Sequence, residues 1–299
     1  IALTGDLGTG KTTFFRAFAE ALGITDIVTS PTYALEQRYN STTHGEVLHI
    51  DLYRLEPREA QDLIRQSEHH QGIRCIEWAD RLPKLPEHAI HIHLAESGNG
   101  RTLTCTFADT PLPSPEEIQQ WRENVLLPEN VVRHCDAVAL CAEDIADELM
   151  MKKHLLIRRE AVRMGGLMHD LFRFLDFRPG GFAGAPPVSP ERQAAWDSAR
   201  ATFPSMRHEA ACDAFLRTKG YDTIASIVET HGVHVPPGKD STIEQKILYY
   251  ADKLVAMDKR VTLEERFRDF SERYAAGMQT DENMHWYEQA KALERELFE

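Results

Sequence analysis

Gly5-Asp6-Leu7-Gly8-Thr9-Gly10-Lys11-Thr12 fits the spacing G-x-x-x-x-G-K-[ST]. Glycines at these points let successive backbone N–H groups turn inward around a phosphate. A helix starting at the lysine aims the positive end of its dipole at the same place. Lys11 then reaches the β- and γ-phosphates, and the Thr12 hydroxyl a Mg²⁺ ion. Such a loop does not hydrolyse ATP alone; a carboxylate at the end of a neighbouring strand must hold the metal or orient water. Two segments offer one: Val47-Leu48-His49-Ile50-Asp51, and Ile73-Arg74-Cys75-Ile76-Glu77 followed by Trp78. Thr29-Ser30-Pro31-Thr32-Tyr33 falls where a phosphate-sensing loop would lie.

A second set of reactive side chains follows later in the chain. His134, the pair His169-Asp170, His208, His231 and Asp252 all lie on or beside apolar stripes of helical spacing. His134 falls between Val131 and Val138, and Asp252 between Leu248 and Val255. One histidine on such a face is ordinarily a core residue satisfied by its neighbours. A carboxylate there needs a partner or a cation, because burying it unpaired is costly. Imidazole and carboxylate together suit a divalent transition metal such as Mn, Fe, Ni, Zn or Co. Asp170 beside His169 can bridge two such ions, a pair that activates water and clamps phosphate oxygens. His69-His70, His88, His91 and His93 sit on polar or strand-edge segments without carboxylate partners and read as surface histidines.

The elements that must position these groups fall into two blocks. Ile1–Thr4, Val47–Ile50, Ile73–Ile76, Ile90–Leu94 and Leu103–Phe107 read as strands and Thr12–Leu22 as a helix, a pattern of α/β type. Thr110-Pro111-Leu112-Pro113-Ser114-Pro115 is a proline-rich linker, and Ser114 or Pro115 starts a helix with acids in its first turn. Beyond it, apolar stripes through 131–149, 161–175, 206–217, 221–231 and 243–261 predict an all-α domain. The expected organisation is therefore an α/β P-loop NTPase domain over 1–112 and a helical domain over 113–299. The Pro/Gly-rich stretch Arg178–Pro190 reads equally as a substrate lid or a plain loop. Ile1-Ala2-Leu3-Thr4 reads as a strand entered partway along its length.

Composition narrows the function classes. With 299 residues, 42% hydrophobic and 27% charged, each half can bury its own core. No apolar run approaches the roughly 18 residues of a membrane span. Five cysteines without a CxxC pair point to a reducing compartment, hence the cytoplasm. The formal charge is −13; up to residue 112 there are 10 basic against 15 acidic residues, and beyond it 24 against 32. Generic polyanion binding is excluded for both halves, and any nucleic-acid contact is local or made through a partner.

GDLGTGKTTF, TSPTY, HIDLYRL and IEWADRL, in this order and at these spacings, resemble the TsaE family over Ile1 to about Phe107. These are the small P-loop ATPases of bacterial tRNA threonylcarbamoyladenosine synthesis. The resemblance implies ATP and Mg²⁺ as cofactors, with Gly5, Asp6, Gly8, Thr9, Gly10, Lys11, Thr12 and Thr13 around the nucleotide. It implies that Thr32, Asp51, Glu77 and Trp78 work beside them, with the division of metal and water roles between Asp51 and Glu77 left open. It implies TsaD and TsaB as partners, and tRNA reached through their complex at adenosine 37. The family's helix and strand ahead of the P-loop strand have no counterpart here, so a domain shortened at its N-terminus is expected.

From Glu116 to Val261, the order H…HD…H…H…D, with ENVVRHCDAVA and KILYYADKLV, resembles the HD superfamily of metal-dependent phosphohydrolases. That resemblance implies one metal on His134, His169, Asp170 and Asp252, another on His208, His231 and the bridging Asp170, and a nucleotide or other phosphoester as substrate. Leu171-Phe172-Arg173 follows the pair where the family often has Ile-Gly-Lys, and Arg173 is expected to supply the positive charge. The expected function is the ATPase component of this tRNA modification fused to a metal phosphohydrolase. Two other readings stay open. One is a metal phosphohydrolase whose P-loop half senses nucleotide; the other is a nucleotide-binding scaffold with an inactive HD half.

Overall fold

Residues of alternating facing build the first sheet. In the strand Ala2–Thr4 (β1), Ala2 and Leu3 are both fully buried, on opposite faces of the sheet. Helix α1 (Lys11–Ala21) sets Phe15 and Ala19 against the Leu3 face. The chain continues through β2 (Glu36–Ser41), β3 (Gly45–Asp51), helix α2 (Pro57–Gln66), β4 (Ile73–Glu77), β5 (Ile90–Ser97) and β6 (Gly100–Phe107). The strand order is β2-β3-β4-β1-β5-β6. The four inner strands are parallel, and β2 and β6 close the edges antiparallel. Leu48, Ile50 and Ile76 join Ala2 on the second face, under Ala60 of α2. Covering on both faces explains the near-continuous apolar inner strands. Register pairs Asp51 with Glu77, so two neighbouring strands end in carboxylates at one level.

The computed structural model describes residues 1–177, 188–234, 236–274 and 280–299, so residues 178–187 of the Pro/Gly-rich stretch lie outside the described residues. It divides the chain into Ile1–Thr110 and Pro111–Glu299. Two elements of the first unit escaped the sequence pattern. β2 is polar and buries only Tyr39. α2 is a surface helix started by a capping box between Glu56 and Glu59, with Pro57 in its first turn. Two placements need correction: His70 is largely covered and its Nδ1 lies 3.3 Å from Glu46 Oε1, a carboxylate partner, and β5 runs between β1 and β6, so His91 and His93 are not on a sheet edge. They engage Pro86 O at 2.8 Å and Thr4 Oγ1 at 3.0 Å.

The second unit begins with α3 (Pro115–Asn124), whose N-cap Ser114 exchanges hydrogen bonds with Glu117. The long α4 (Glu129–Lys153), α5 (Arg159–Met168), α6 (Pro190–Thr202), α7 (His208–Thr218), α8 (Asp222–Glu229) and α9 (Ile243–Lys253) follow. A Cβ on Gly166 would come within 2.5 Å of Ala139 Cα, so this glycine lets α5 lie directly on the α4 backbone. α5 ends at Met168, and a 3₁₀ turn over Arg173–Asp176 carries the chain onward. The stripe through 243–261 is helical only to Lys253. There the chain turns into a hairpin of β7 (Val255–Ala256) and β8 (Lys259–Arg260), with Met257 at φ 59°. Helices α10 (Leu263–Tyr274) and α11 (Thr280–Phe298) complete the chain. Among the described residues no helix is long and apolar enough to cross a membrane.

Candidate functional site

The loop from β1 into α1 passes through Gly5 at φ 128°, where a Cβ would lie 2.2 Å from Leu94 O; only glycine fits. Asp6 O accepts from Thr9 N at 3.3 Å and Thr9 Oγ1 at 2.8 Å, closing the turn that contains Gly8. Gly10 caps α1, and helix geometry leaves the N–H groups of Lys11, Thr12 and Thr13 without intrahelical acceptors. The Thr13 side chain itself is exposed on α1. Lys11 is buried; its Nζ donates to Gly5 O at 2.6 Å and Asp6 O at 2.9 Å and sits 3.5 Å from the Trp78 ring centre. Trp78 takes a left-handed conformation at φ 59° that turns its ring toward the loop and toward Tyr53.

The two strand-end carboxylates have different partners. Glu77 Oε2 accepts from Thr12 Oγ1 at 2.8 Å, and Glu77 Oε1 lies 2.8 Å from His49 Nε2. Asp51 Oδ2 accepts from Thr32 Oγ1 at 2.6 Å and Ser30 Oγ at 3.1 Å, and its Oδ1 from Tyr53 N at 2.9 Å. A hydroxyl and a carboxylate oxygen side by side form the hard oxygen donor set that Mg²⁺ takes, so Thr12 and Glu77 fit that ion. The sequence reading did not single out His49, although it lies inside HIDLYRL.

In the second unit the six implied ligands converge from five elements. His134 stands in the second turn of α4. His169 caps α5 with Asp170 next to it, and His208 is the first residue of α7. His231 follows α8, and Asp252 is in the last turn of α9. Three of the histidines, His169, His208 and His231, are therefore at or beyond helix ends. Every histidine offers Nδ1 to an acceptor: His134 to Met257 O at 2.8 Å, His169 to Gly166 O at 2.8 Å, His231 to Val228 O at 2.5 Å, and His208 to Asp176 Oδ2 at 2.6 Å. Carbonyl and carboxylate oxygens only accept, so each Nδ1 carries a hydrogen and each Nε2 turns inward, where the neutral ring has a lone pair to give a cation.

Those Nε2 atoms face the two carboxylates. His134 Nε2 is 3.1 Å from Asp252 Oδ1. His208 Nε2 is 3.0 Å from both Asp170 Oδ1 and His231 Nε2. His169 Nε2 is buried without a hydrogen-bond partner, 3.7 Å from Asp252 Oδ1 and 3.8 Å from Asp170 Oδ2. Four inward Nε2 atoms gathered on two carboxylates fit divalent cations, which take the place of any hydrogen an Nε2 carries. Ligand atoms of His134, His169 and Asp252, and of His169, Asp170 and His231, each gather within 4.8 Å.

The charges fit the same purpose. Burial opposes ionisation of Asp170, but His169, Arg173 and the bonds from His208 and His231 outweigh it and hold its carboxyl well below the usual range. Asp252 behaves likewise, helped first by Lys253. Burial pushes His169 down to about 3, which keeps its Nε2 a lone pair. Arg173 Nη1 lies 3.2 Å from His208 Nε2. Lys253 Nζ donates to Asp252 Oδ2 at 2.5 Å and to His231 O at 2.9 Å, tying two ligand segments together. Asp176, Glu209 and Lys253 were not legible as site residues. Glu209 directly follows His208 and lies 3.2 Å from its Nδ1, while Arg207 bonds to both Asp176 and Glu209.

The first unit is thus a P-loop NTPase fold with paired carboxylates at its strand ends, and the second a helical domain with a histidine–aspartate centre. Residues 1–103 match the family model "Threonylcarbamoyl adenosine biosynthesis protein TsaE", and residues 131–257 match that of the HD domain. The tRNA threonylcarbamoyladenosine biosynthesis protein TsaE of Bacillus subtilis (strain 168) is 41% identical over 109 residues, covering 36% of this chain and 68% of that protein. The TsaE of Nostoc sp. (strain PCC 7120) is 37% identical over 122 residues, covering 36% of this chain and 74% of its own. A crystal structure of a predicted HD superfamily hydrolase involved in NAD metabolism from Clostridium acetobutylicum aligns with a TM-score of 0.36 at 14% identity, over 61% of this chain and 99% of that one. The chain belongs to the TsaE family and carries an HD domain after the TsaE domain.

Proposed function

We propose that the chain is the ATP-binding and ATP-hydrolysing component of tRNA threonylcarbamoyladenosine modification at adenosine 37, fused to a phosphohydrolase that acts on a nucleotide or other phosphoester. TsaD and TsaB are its partners, tRNA is met through their complex, and the cytoplasm is its compartment. The Thr12–Glu77 contact at the mouth of the phosphate loop supports the first half of this reading. Lys11 exchanges the Gly5 and Asp6 carbonyls for the β- and γ-phosphates of ATP, and Thr12 and Glu77 hold Mg²⁺. When bound, that ion neutralises charge on the transferring phosphoryl group. Asp51, steadied by Ser30, Thr32 and the Tyr53 amide, orients the attacking water. Trp78 packs against the nucleotide.

The inward Nε2 atoms around Asp170 and Asp252 support the second half. His134, His169, Asp170 and Asp252 hold one divalent transition metal; His208, His231 and Asp170 hold another. When bound, such a pair supplies an activated water and a clamp on phosphate oxygens. Arg173 neutralises phosphate charge beside them.

The test uses the full chain purified without chelator. Metal content per chain is measured, cleavage of a panel of nucleotides and phosphoesters is assayed, and ATP turnover is followed with TsaD, TsaB and tRNA. Lys11→Ala is expected to abolish ATP hydrolysis, and Asp170→Ala to lose metal and phosphoester cleavage together. Unchanged ATP turnover in Lys11→Ala removes the first half of the proposal. A wild-type chain with no transition metal and no metal-stimulated cleavage removes the second.

A further inference from the structure

The Glu77 carboxylate can serve the phosphate loop only if it keeps one orientation. A glutamate has three side-chain torsions, and Thr12 bonds to a single oxygen of it. The other oxygen, Oε1, lies 2.8 Å from Nε2 of His49, on the neighbouring strand β3. His49 and Glu77 are both essentially excluded from solvent. Because β3 and β4 are parallel and His49 pairs with Cys75, Glu77 is the diagonal neighbour of His49 on the same face, within reach of long side chains. A carboxylate accepts only, so the hydrogen of this contact is on Nε2.

The histidine is itself held in place. Its ring stacks on Phe15 of α1 with centroids 3.8 Å apart and planes 26° apart, and Tyr39 of β2 lies beyond it. Phe15 sits one helical turn after Lys11 and Thr12. The stack thus joins the helix carrying the phosphate-binding residues to β3, and the His49–Glu77 contact carries the link on to the strand with the carboxylate. Its Nδ1 is buried without a hydrogen-bond partner. Packing alone would place an apolar ring there and avoid that cost. The bond to Glu77 is what an aromatic hydrocarbon could not supply.

We propose that His49 is a positioning residue of the phosphate site: its Nε2–H fixes Glu77 so that Oε2 faces the Thr12 hydroxyl, where Mg²⁺ binds. The inference rests on the metal-side role of Glu77 proposed above. His49 touches neither nucleotide nor metal; it acts through Glu77, as outer partners of ligating carboxylates do.

The experiment titrates Mg²⁺ into the full chain and reads the binding of a fluorescent ADP analogue. Wild type, His49→Phe, His49→Leu, His49→Gln and Glu77→Gln are compared, each with a melting curve. His49→Phe keeps a ring against Phe15 but has no donor; His49→Leu removes ring and donor together; His49→Gln restores an N–H. The expected result is that both donor-free variants need at least about tenfold more Mg²⁺ for half-maximal binding. Their affinity for the analogue without Mg²⁺ should stay that of wild type, and His49→Gln should recover most of the loss. Should His49→Phe not fold, His49→Leu carries the comparison. A wild-type Mg²⁺ requirement in a folded donor-free variant, with Glu77→Gln shifted, overturns the role of His49 alone. No shift in Glu77→Gln overturns the metal-side reading and this inference with it.

Discussion

Asp51 and Glu77 are both strand-end acids, yet their hydrogen-bond partners differ. Glu77 is bonded to the P-loop threonine, and Asp51 to the hydroxyls of Ser30 and Thr32. Asp51→Asn should therefore lower ATP turnover by about 10²-fold or more while leaving nucleotide affinity nearly unchanged. Glu77→Gln should weaken Mg²⁺-dependent nucleotide binding as well. Steady-state turnover with TsaD and TsaB, measured beside ADP affinity at fixed Mg²⁺, separates the two, and equal effects on both quantities in both variants would contradict the division. In the second unit, His208 gives a pH signature. Burial opposes its charge, but hydrogen bonds to Asp170 and Asp176 outweigh burial and raise it to about 9. A raised histidine stabilises the fold fully below its unfolded value of roughly 6.5, and that contribution is lost as pH rises through about 9. The chelated, metal-free chain should thus lose melting temperature between those pH values, and His208→Gln should flatten the decline. Metal must displace the same proton, so metal affinity should rise across the same window.

Helix ends, more than helix faces, build the second site. α5 stops at Met168 and delivers His169 and Asp170; α7 begins with His208; α8 stops just before His231. The position of α5 depends on Gly166, because an added Cβ would meet the α4 backbone at Ala139. Gly166→Ala should lower stability by about 1–3 kcal/mol, the clash outweighing the better helix propensity of alanine, and should weaken metal binding through displacement of His169. Urea unfolding together with metal analysis tests this; an unchanged or raised midpoint would show that α4 and α5 separate freely. The hairpin after α9 has a similar task. Its Met257 carbonyl accepts the Nδ1 hydrogen of His134 and so turns Nε2 toward Asp252. This escaped the sequence reading, because Ile247, Leu254 and Val261, each seven residues apart, continue the helical spacing of the stripe through 243–261. β2 escaped for the opposite reason, being too polar to show alternation, and α2 because its stripe, Ala60, Leu63 and Ile64, spans little more than one turn.

For the whole molecule the two units carry separate hydrophobic cores, one of the second unit and two flanking the sheet of the first. Lys11→Ala should accordingly leave metal content at the wild-type value, and Asp170→Ala should leave ADP affinity unchanged. Metal analysis and nucleotide binding on both variants check this, and a cross-effect in either direction would show coupling between the sites. The local sequence by itself determined which side chains are chemically equipped. G-x-x-x-x-G-K-T needs only a strand before it and a helix after it, and the order H…HD…H…H…D needs only helices to carry it. Tertiary structure alone decided which partners each group meets. The sheet order β3-β4-β1 places Glu77 one strand from the P-loop strand and Asp51 two strands away. At about 4.8 Å per strand, only Glu77 reaches Thr12. His49 and Asp176 became partners of site residues through pairing register and burial across 28 and 32 residues of chain. No local pattern encodes such distances, because a hydrogen bond depends on where two segments meet, and that is settled by the packing of the whole unit.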